Sequence, residues 1–176
     1  SDKNQMEEHG IENIDMVICN LYPFKSAAEK GVDLSSLIEE IDIGGPSLLR
    51  AASKNHSRVS VVTDPGDYGW ILNEIINGGL TFEQRQQLAL KSFRHTAEYD
   101  SIIQSVLAQR FGEEELPSSL HLTGIGSPPL RYGENPHQSS VFYSDLLHSA
   151  PSVANSEQLQ GKQLSYNNLL DFDAAL

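Results

Sequence analysis

The residues with the clearest chemical content run Ile41-Asp42-Ile43-Gly44-Gly45-Pro46-Ser47-Leu48-Leu49-Arg50-Ala51-Ala52-Ser53-Lys54-Asn55. An acidic residue meets a Gly-Gly turn, and a proline opens a helix at a position where no N–H is needed. Glycine lets backbone approach a ligand closely. The free N–H groups and partial positive charge of a helix start suit an oxyanion or a carbonyl. Ser47, Arg50 and Lys54 follow helical spacing on roughly one face, and Leu48, Leu49, Ala51 and Ala52 fill the remainder. The segment therefore suits a polar, partly anionic small molecule. It equally suits a plain turn into a helix that packs on a sheet. Pro46 and Lys54 are about 12 Å apart along a helix rising about 1.5 Å per residue. Helical side chains lean toward the N-terminus and recover part of that gap. Both ends serve one ligand only if it is extended or the helix ends early.

Length and composition narrow the classes. The chain has 176 residues, enough for one domain and part of another. At 39% hydrophobic it is globular in composition. No apolar run approaches the roughly 18 residues of a membrane span, and Ser1 to Gly10 is polar and charged, unlike a signal peptide. The single cysteine, Cys19, leaves no intrachain disulfide and fits a reducing compartment. A net charge of −12 argues against non-specific nucleic-acid binding. An anionic substrate then needs a local basic cluster, for which Arg50, Lys54, Arg58 and Arg131 are candidates. The histidines are scattered, no cysteine–histidine cluster has zinc spacing, and neither G-x-G-x-x-G nor G-x-x-x-x-G-K-[ST] occurs. No metal is expected.

The elements that must position these residues follow from periodicity and punctuation. Ile14 to Cys19 reads as a strand buried on both faces, as in a parallel sheet. Asn20-Leu21-Tyr22-Pro23-Phe24 is a loop at its C-terminal end, where Pro23 forbids ladder pairing. Asp33 to Ile41 reads as a short helix, the Gly-Gly-Pro helix follows, and Arg58 to Thr63 is a second strand. Asp64-Pro65 starts another helix, capped by Asp64 and ending near Gly78-Gly79. This order predicts an α/β fold, a parallel sheet flanked by helices, with a right-handed crossover. Thr81 to Gln84 is a capping-box pattern opening a long helix to Phe111, with Phe93, Ala97, Ile103, Val106 and Leu107 as its apolar stripe. His95 and Tyr99 read as packing residues on it. Glu113-Glu114-Glu115 and Pro117-Ser118-Ser119 mark a boundary, beyond which short apolar pieces are broken by Gly, Pro, Ser and Asn.

Four segments stand out together: Cys19 to Phe24; Ile41 to Asn55; Leu130-Arg131-Tyr132-Gly133-Glu134-Asn135-Pro136-His137-Gln138; and Gly161-Lys162-Gln163-Leu164-Ser165-Tyr166-Asn167-Asn168 with Asp171 and Asp173. In order and content they closely resemble the bifunctional purine-biosynthesis enzymes, AICAR transformylase/IMP cyclohydrolase. Val59 to Val62, Asp67-Tyr68 and Phe93 to Asp100 agree as well, so the resemblance runs along nearly the whole chain. It implies transfer of a formyl group from 10-formyltetrahydrofolate to the amine of AICAR, then closure of formyl-AICAR to IMP with loss of water. It also implies a methylglyoxal synthase-like N-terminal domain, a transformylase domain with a cytidine deaminase-like core, and a homodimer.

Ring closure needs a base near the carboxamide, donors for a developing oxyanion and a route for water. The resemblance assigns Asp42 to the amide, the N–H groups of Ile43 and Gly44 to the nucleotide, and proton transfer to Lys54. It sets Tyr22 near the reacting oxygen, and Cys19 and Asn20 against the nucleotide. Cys19 is expected to contribute backbone only, not a thiol nucleophile. Read without the family, Tyr22 also fits a core aromatic, and Lys54 a solvated helix end favoured by the dipole. On the transformylase side Arg131 and Tyr132 match the AICAR-contacting pair, guanidinium suiting phosphate bidentately. His137 assists and Asn168 is a further nucleotide contact. The plain alternative is that Gly133, Asn135 and Pro136 form a turn.

By this resemblance residues 1–112 are a cyclohydrolase domain lacking its N-terminal portion, 113–128 a linker, and 129–176 the beginning of the transformylase domain. The family's phosphate-holding strands and a further lysine precede the matching region; its Lys-His segment and most of the folate site follow it. The chain thus reads as an internal piece of a cytoplasmic enzyme with nucleotide and folate substrates, without nucleic-acid or membrane partners. A non-catalytic nucleotide-binding or dimerisation piece of the same scaffold is the alternative.

Overall fold

The computed structural model describes residues 2–112, 124–145 and 150–176. The chain divides into two compact units, Ser1–Glu114 and Glu115–Leu176. Of the expected linker, residues 113–123 lie outside the described residues, and Gly124–Gly126 forms a strand.

In the first unit, helix α1 (Asp2–Glu8) precedes strand β1 (Met16–Ile18), helices α2 (Phe24–Glu29), α3 (Leu34–Glu39) and α4 (Gly44–Lys54), and strand β2 (Ser60–Val62). A 3-10 turn (Pro65–Asp67) leads into α5 (Tyr68–Ile76), and α6 (Phe82–Phe111) closes the unit. The α/β class stands: β1 and β2 pair in parallel with Val17 opposite Val61, joined by the α2–α4 crossover. Both strands are shorter than their apolar runs. Only β2 is buried throughout. Ile14 and Ile18 of the first run are 68% and 57% exposed, so the expectation of a strand buried on both faces fails for β1. The physical reason is placement. Both strands pack against α4, but β2 also packs against α6, while β1 pairs with β2 alone among the described residues.

The core gathers Leu49, Val61, Val62, Ile71 and Leu88, each at most 4% exposed. Burying such side chains contributes about 1.5–3 kcal/mol each. Helix α6 anchors this core. Its start carries the predicted capping box: Thr81 Oγ1 accepts from the Gln84 amide at 3.2 Å, and Gln84 Oε1 accepts from the Thr81 amide at 2.7 Å. Its end is Gly112 in the left-handed region, φ 72°, where a side chain is disfavoured. The predicted stripe holds only in part. Val106 is buried as expected, but Phe93 and Ala97 are exposed, and the buried face is Leu88, Ala89, Ser92, Thr96, Tyr99, Ile102 and Val106. An apolar stripe misses it because the buried face includes small polar residues, Ser92 and Thr96, as α4 buries Ser53 beside Ala52. Ser53 and Thr96 return their hydroxyls to their own helices, at Leu49 O (2.7 Å) and Phe93 O (3.2 Å).

Two aspartates cap short turns, one within the crossover and one after β2. Asp33 caps α3, accepting from the Ser35 hydroxyl, the Ser36 amide and the Ser36 hydroxyl, which hold its carboxyl well below the usual range. Asp64 caps the 3-10 turn through the Gly66 amide at 2.8 Å. Lys91 of α6 then bridges Asp64 at 2.6 Å and Asp67 at 2.7 Å. Burial alone would lower the Lys91 ammonium, but the two aspartates more than offset it and raise it. The Lys91 hydrogen bond, followed by the Gly66 amide, holds Asp64 below the usual carboxylate range. A depressed carboxylate stabilises the fold above its unfolded pKa, about 3.9, and loses that contribution as pH falls through its folded value. Lys91→Met is therefore expected to flatten the fall of melting temperature between pH 4 and 2, measured by circular dichroism. An acid profile parallel to that of the native protein would refute this coupling.

The second unit is built locally. Strands β3 (Gly124–Gly126) and β4 (Tyr143–Asp145) pair antiparallel, and α7 (Tyr166–Ala175) follows. Asn168 Oδ1 accepts from the Ser165 amide at 3.1 Å and its hydroxyl at 3.0 Å, so Ser165 and Asn168 cap α7.

Candidate active site

Parallel pairing puts the C-terminal ends of β1 and β2 at one end of the sheet, where open α/β folds hold ligands. A cavity of about 250 Å³ opens there, lined among others by Asn20, Tyr22, Phe24, Thr63, His95 and Tyr99. Asn20 is locked across the two strands. Its Nδ2 donates to Thr63 O at 3.0 Å, and its Oδ1 accepts from the Tyr68 hydroxyl at 3.3 Å. The Cys19 amide donates to Val62 O at 3.0 Å, extending the ladder by one step. Burial, then the Asp42 charge, pushes the Cys19 thiol up. It stays protonated at neutral pH, in line with a backbone role.

The start of α4 differs from expectation in one detail. The helix begins at Gly44, so Pro46 is its third residue rather than its first. Proline is still tolerated there, because the first turn's N–H groups have no intrahelical partner. Asp42, two residues before the helix, acts as the cap. Its Oδ1 accepts from the Gly45 amide at 2.7 Å, and its Oδ2 from the Tyr22 amide at 3.4 Å. The carboxylate thus ties the loop after β1 to the start of α4. Gly45 is required by space: a Cβ there would lie 2.6 Å from both Asp42 Oδ2 and Leu21 Cδ2. The Ile43 and Gly44 amides have no hydrogen-bond partner among the described residues. Both residues are exposed, Ile43 by 75%. Two free donors and a fixed carboxylate therefore share one turn.

Lys54 stands apart. The helix does not end early but runs unbroken from Gly44 to Lys54, about 15 Å at about 1.5 Å per residue. The lysine is exposed at the end that leads into β2, opposite the strand ends. Arg50 lies over the Phe93 ring at 5.8 Å. The fold therefore brings together Cys19, Asn20, Tyr22, Asp42, Ile43 and Gly44, and leaves Lys54 outside that group.

Packing is the role the sequence predicts for Tyr99. It does pack, edge-on to Phe24 at 6.5 Å, and it is 8% exposed. Its hydroxyl also donates to Glu40 O at 3.1 Å and accepts from the Asp42 amide at 2.9 Å. Helical spacing placed it on the core face of α6 but carried no sign of the turn it would meet.

In the second unit the Arg131 guanidinium stacks over the Tyr132 ring at 4.9 Å and reaches its hydroxyl at 3.3 Å. Backbone bonds from Arg131 to Leu164 and from Tyr166 to Tyr132 fix the pair beside the start of α7. The expected turn forms: the Gly133 amide donates to Gln138 O at 2.8 Å, and Gln138 Oε1 accepts from the Asn135 amide at 2.8 Å. His137 is exposed on it. Asn168 spends its side-chain oxygen on the cap of α7. Among the described residues no group of three His, Cys, Asp or Glu side chains is placed to hold a metal, and no helix is long and apolar enough to cross a membrane.

A site at the ends of parallel strands, opened by a capped helix start, fits the class that sequence comparison finds. Residues 1–47 match the model of the MGS-like domain. Residues 52–176 match the AICARFT/IMPCHase bienzyme model, and the chain belongs to that family. It is 51% identical over 175 residues to the bifunctional purine biosynthesis protein PurH of Persephonella marina, and 50% identical over 174 residues to that of Bacillus subtilis. Each comparison covers 98% of this chain and 34% of the relative, so the chain spans about a third of the length of the curated relatives it matches. Among solved structures, the crystal structure of ForH is 36% identical with a TM-score of 0.51, covering 63% of this chain and 57% of that one. The two family models meet inside α4, between residues 47 and 52, and not at the boundary between the compact units.

Proposed function

We propose that this chain carries the closing half of a cyclohydrolase site and the nucleotide-contacting start of a transformylase, in a cytoplasmic homodimer of de novo purine biosynthesis. The observation that carries the reading is the Asp42 turn, a carboxylate beside two unpartnered amides, tied through the Tyr22 amide to the loop that lines the strand-end cavity. In ring closure the carboxamide nitrogen attacks the formyl carbon, forming the C–N bond and pushing electrons onto the formyl oxygen. Asp42 takes the amide proton, and the Ile43 and Gly44 amides face the developing oxyanion. The oxygen leaves as water with two protons, one taken from the carboxamide and one released by the formamido nitrogen as the ring C=N bond forms and the C–O bond breaks. Tyr22 stands on the cavity wall beside that oxygen, with Cys19 and Asn20 against the nucleotide. Lys54 supplies protons only through its extended side chain and an extended ligand.

Residues 1–112 form the cyclohydrolase domain and 129–176 begin the transformylase domain in this reading. Arg131, stacked on Tyr132, keeps guanidinium donors free for the AICAR phosphate, and His137 lies on the adjoining turn. 10-Formyltetrahydrofolate is the formyl donor, and cyclisation uses no metal. The position of Lys54 favours a second reading, a nucleotide-binding scaffold without chemistry.

Lys54→Ala in the intact protein separates the two. It is expected to lower ring closure at least about 100-fold while leaving formyl transfer largely intact, both followed spectroscopically. Equal loss of both activities would contradict separate sites. IMP binding by calorimetry without any ring closure would favour the scaffold.

A further inference from the structure

The Asp42 carboxylate is aimed by its backbone, and that backbone is held from a distance. Helix α3 completes its own pairing at Glu40 and Ile41, whose amides reach Leu37 O and Ile38 O. The next amide, Asp42 N–H, passes to the Tyr99 hydroxyl at 2.9 Å, and the same hydroxyl donates to Glu40 O at 3.1 Å. One phenol therefore bridges both polar groups of the turn between α3 and α4, from a helix 57 residues further along the chain. It can do so rigidly. α6 is capped at both ends, and the Tyr99 ring is wedged against Phe24, itself 1% exposed. Tyr99 also lines the strand-end cavity.

We propose that Tyr99 is a positioning residue for ring closure: its hydroxyl clamps the Glu40–Asp42 turn and so sets where the Asp42 carboxylate and the Ile43 and Gly44 amides point. The inference rests on the cyclohydrolase reading above. Burial, foremost, pushes the phenol up, so it stays protonated and keeps donating to Glu40 across the neutral range. Without the hydroxyl, Asp42 N–H and Glu40 C=O lose their partner and the turn resettles. Small displacements of a reacting group are costly in rate because near-attack geometry is lost.

The test is Tyr99→Phe in the intact protein, which removes two hydrogen bonds and keeps the ring. Two neutral hydrogen bonds together correspond to about a tenfold change. Ring-closure kcat and kcat/KM are expected to fall together by about that factor or more, with KM nearly unchanged and formyl transfer unaffected. Amide hydrogen exchange at Asp42 is expected to quicken about tenfold. Leu88→Ala, a core change away from the cavity, supplies the control for mere destabilisation. It should lower the melting temperature more than Tyr99→Phe and leave kcat where it was. Unchanged kcat and unchanged Asp42 exchange in Tyr99→Phe overturn the proposal, as does an equal kcat loss in Leu88→Ala. If the unsubstituted protein closes no ring, the cyclohydrolase reading falls, and exchange at Asp42 alone decides whether the clamp exists.

Discussion

Asp42→Asn is expected to lower ring closure by about two to three orders of magnitude while leaving the fold and formyl transfer nearly unchanged. The argument is geometric. Asparagine keeps a side-chain oxygen where Oδ1 accepts from the Gly45 amide at 2.7 Å, and it caps helices about as well as aspartate. The opposite position, Oδ2, becomes an NH₂ facing the Tyr22 amide, now donor against donor, where the native contact is a long 3.4 Å. Stability should therefore shift by less than about 1 kcal/mol. What disappears is the negative charge and the capacity to take a proton beside two free amides, worth about 10² to 10⁴ in rate for a general base. Steady-state assays of both reactions on one preparation read this directly. Ring closure within a factor of three of the native rate would remove Asp42 from the chemistry. Parallel loss of formyl transfer would show instead that the whole protein was disturbed. Asp42→Ala is the poorer probe, because it also abolishes the cap.

Leu49→Ala carries the largest expected loss of stability, about 2–5 kcal/mol. Leu49 is fully buried, in one cluster with Val61, Val62, Ile71 and Leu88. Its removal opens a cavity between α4 and β2 that capped, tightly packed helices cannot easily collapse. A unit of this size loses about 4 °C for each kcal/mol, so a drop of about 8–20 °C is expected by thermal circular dichroism. Its neighbour Leu48 is 56% exposed, and Leu48→Ala should stay within about 0.5 kcal/mol. Equal effects at the two positions would mean that the packing of α4 described here is wrong.

Much of the molecule was legible in the sequence because its signals are local. The Thr81–Gln84 box, the Asp64 cap and the helix end at Phe111 depend on residues within a few positions of each other, and each forms as the sequence predicts. The parallel strand pair followed from the order of elements, and the family from four ordered motifs. Two things here needed the tertiary structure, since each depends on distant partners. Which strand is buried was decided by helix cover: β2 receives α4 and α6, while β1 leaves Ile18 exposed. Which face of α6 is core was decided by what packs against it, α4, β2 and α2, and that face buries Ser92 and Thr96 while leaving Phe93 exposed.

The Asp42 turn shows the division most plainly. The sequence by itself determined that a carboxylate, two glycines and a proline open a helix, because those preferences act through neighbouring backbone. Only the folded chain decided that the carboxylate reaches the Tyr22 amide, that Tyr99 holds the turn from α6, and that an unbroken α4 carries Lys54 to the opposite end of the sheet. Hydrogen bonds across tens of residues leave no trace in local spacing, and the rigid rise of a helix separates residues that a motif lists side by side.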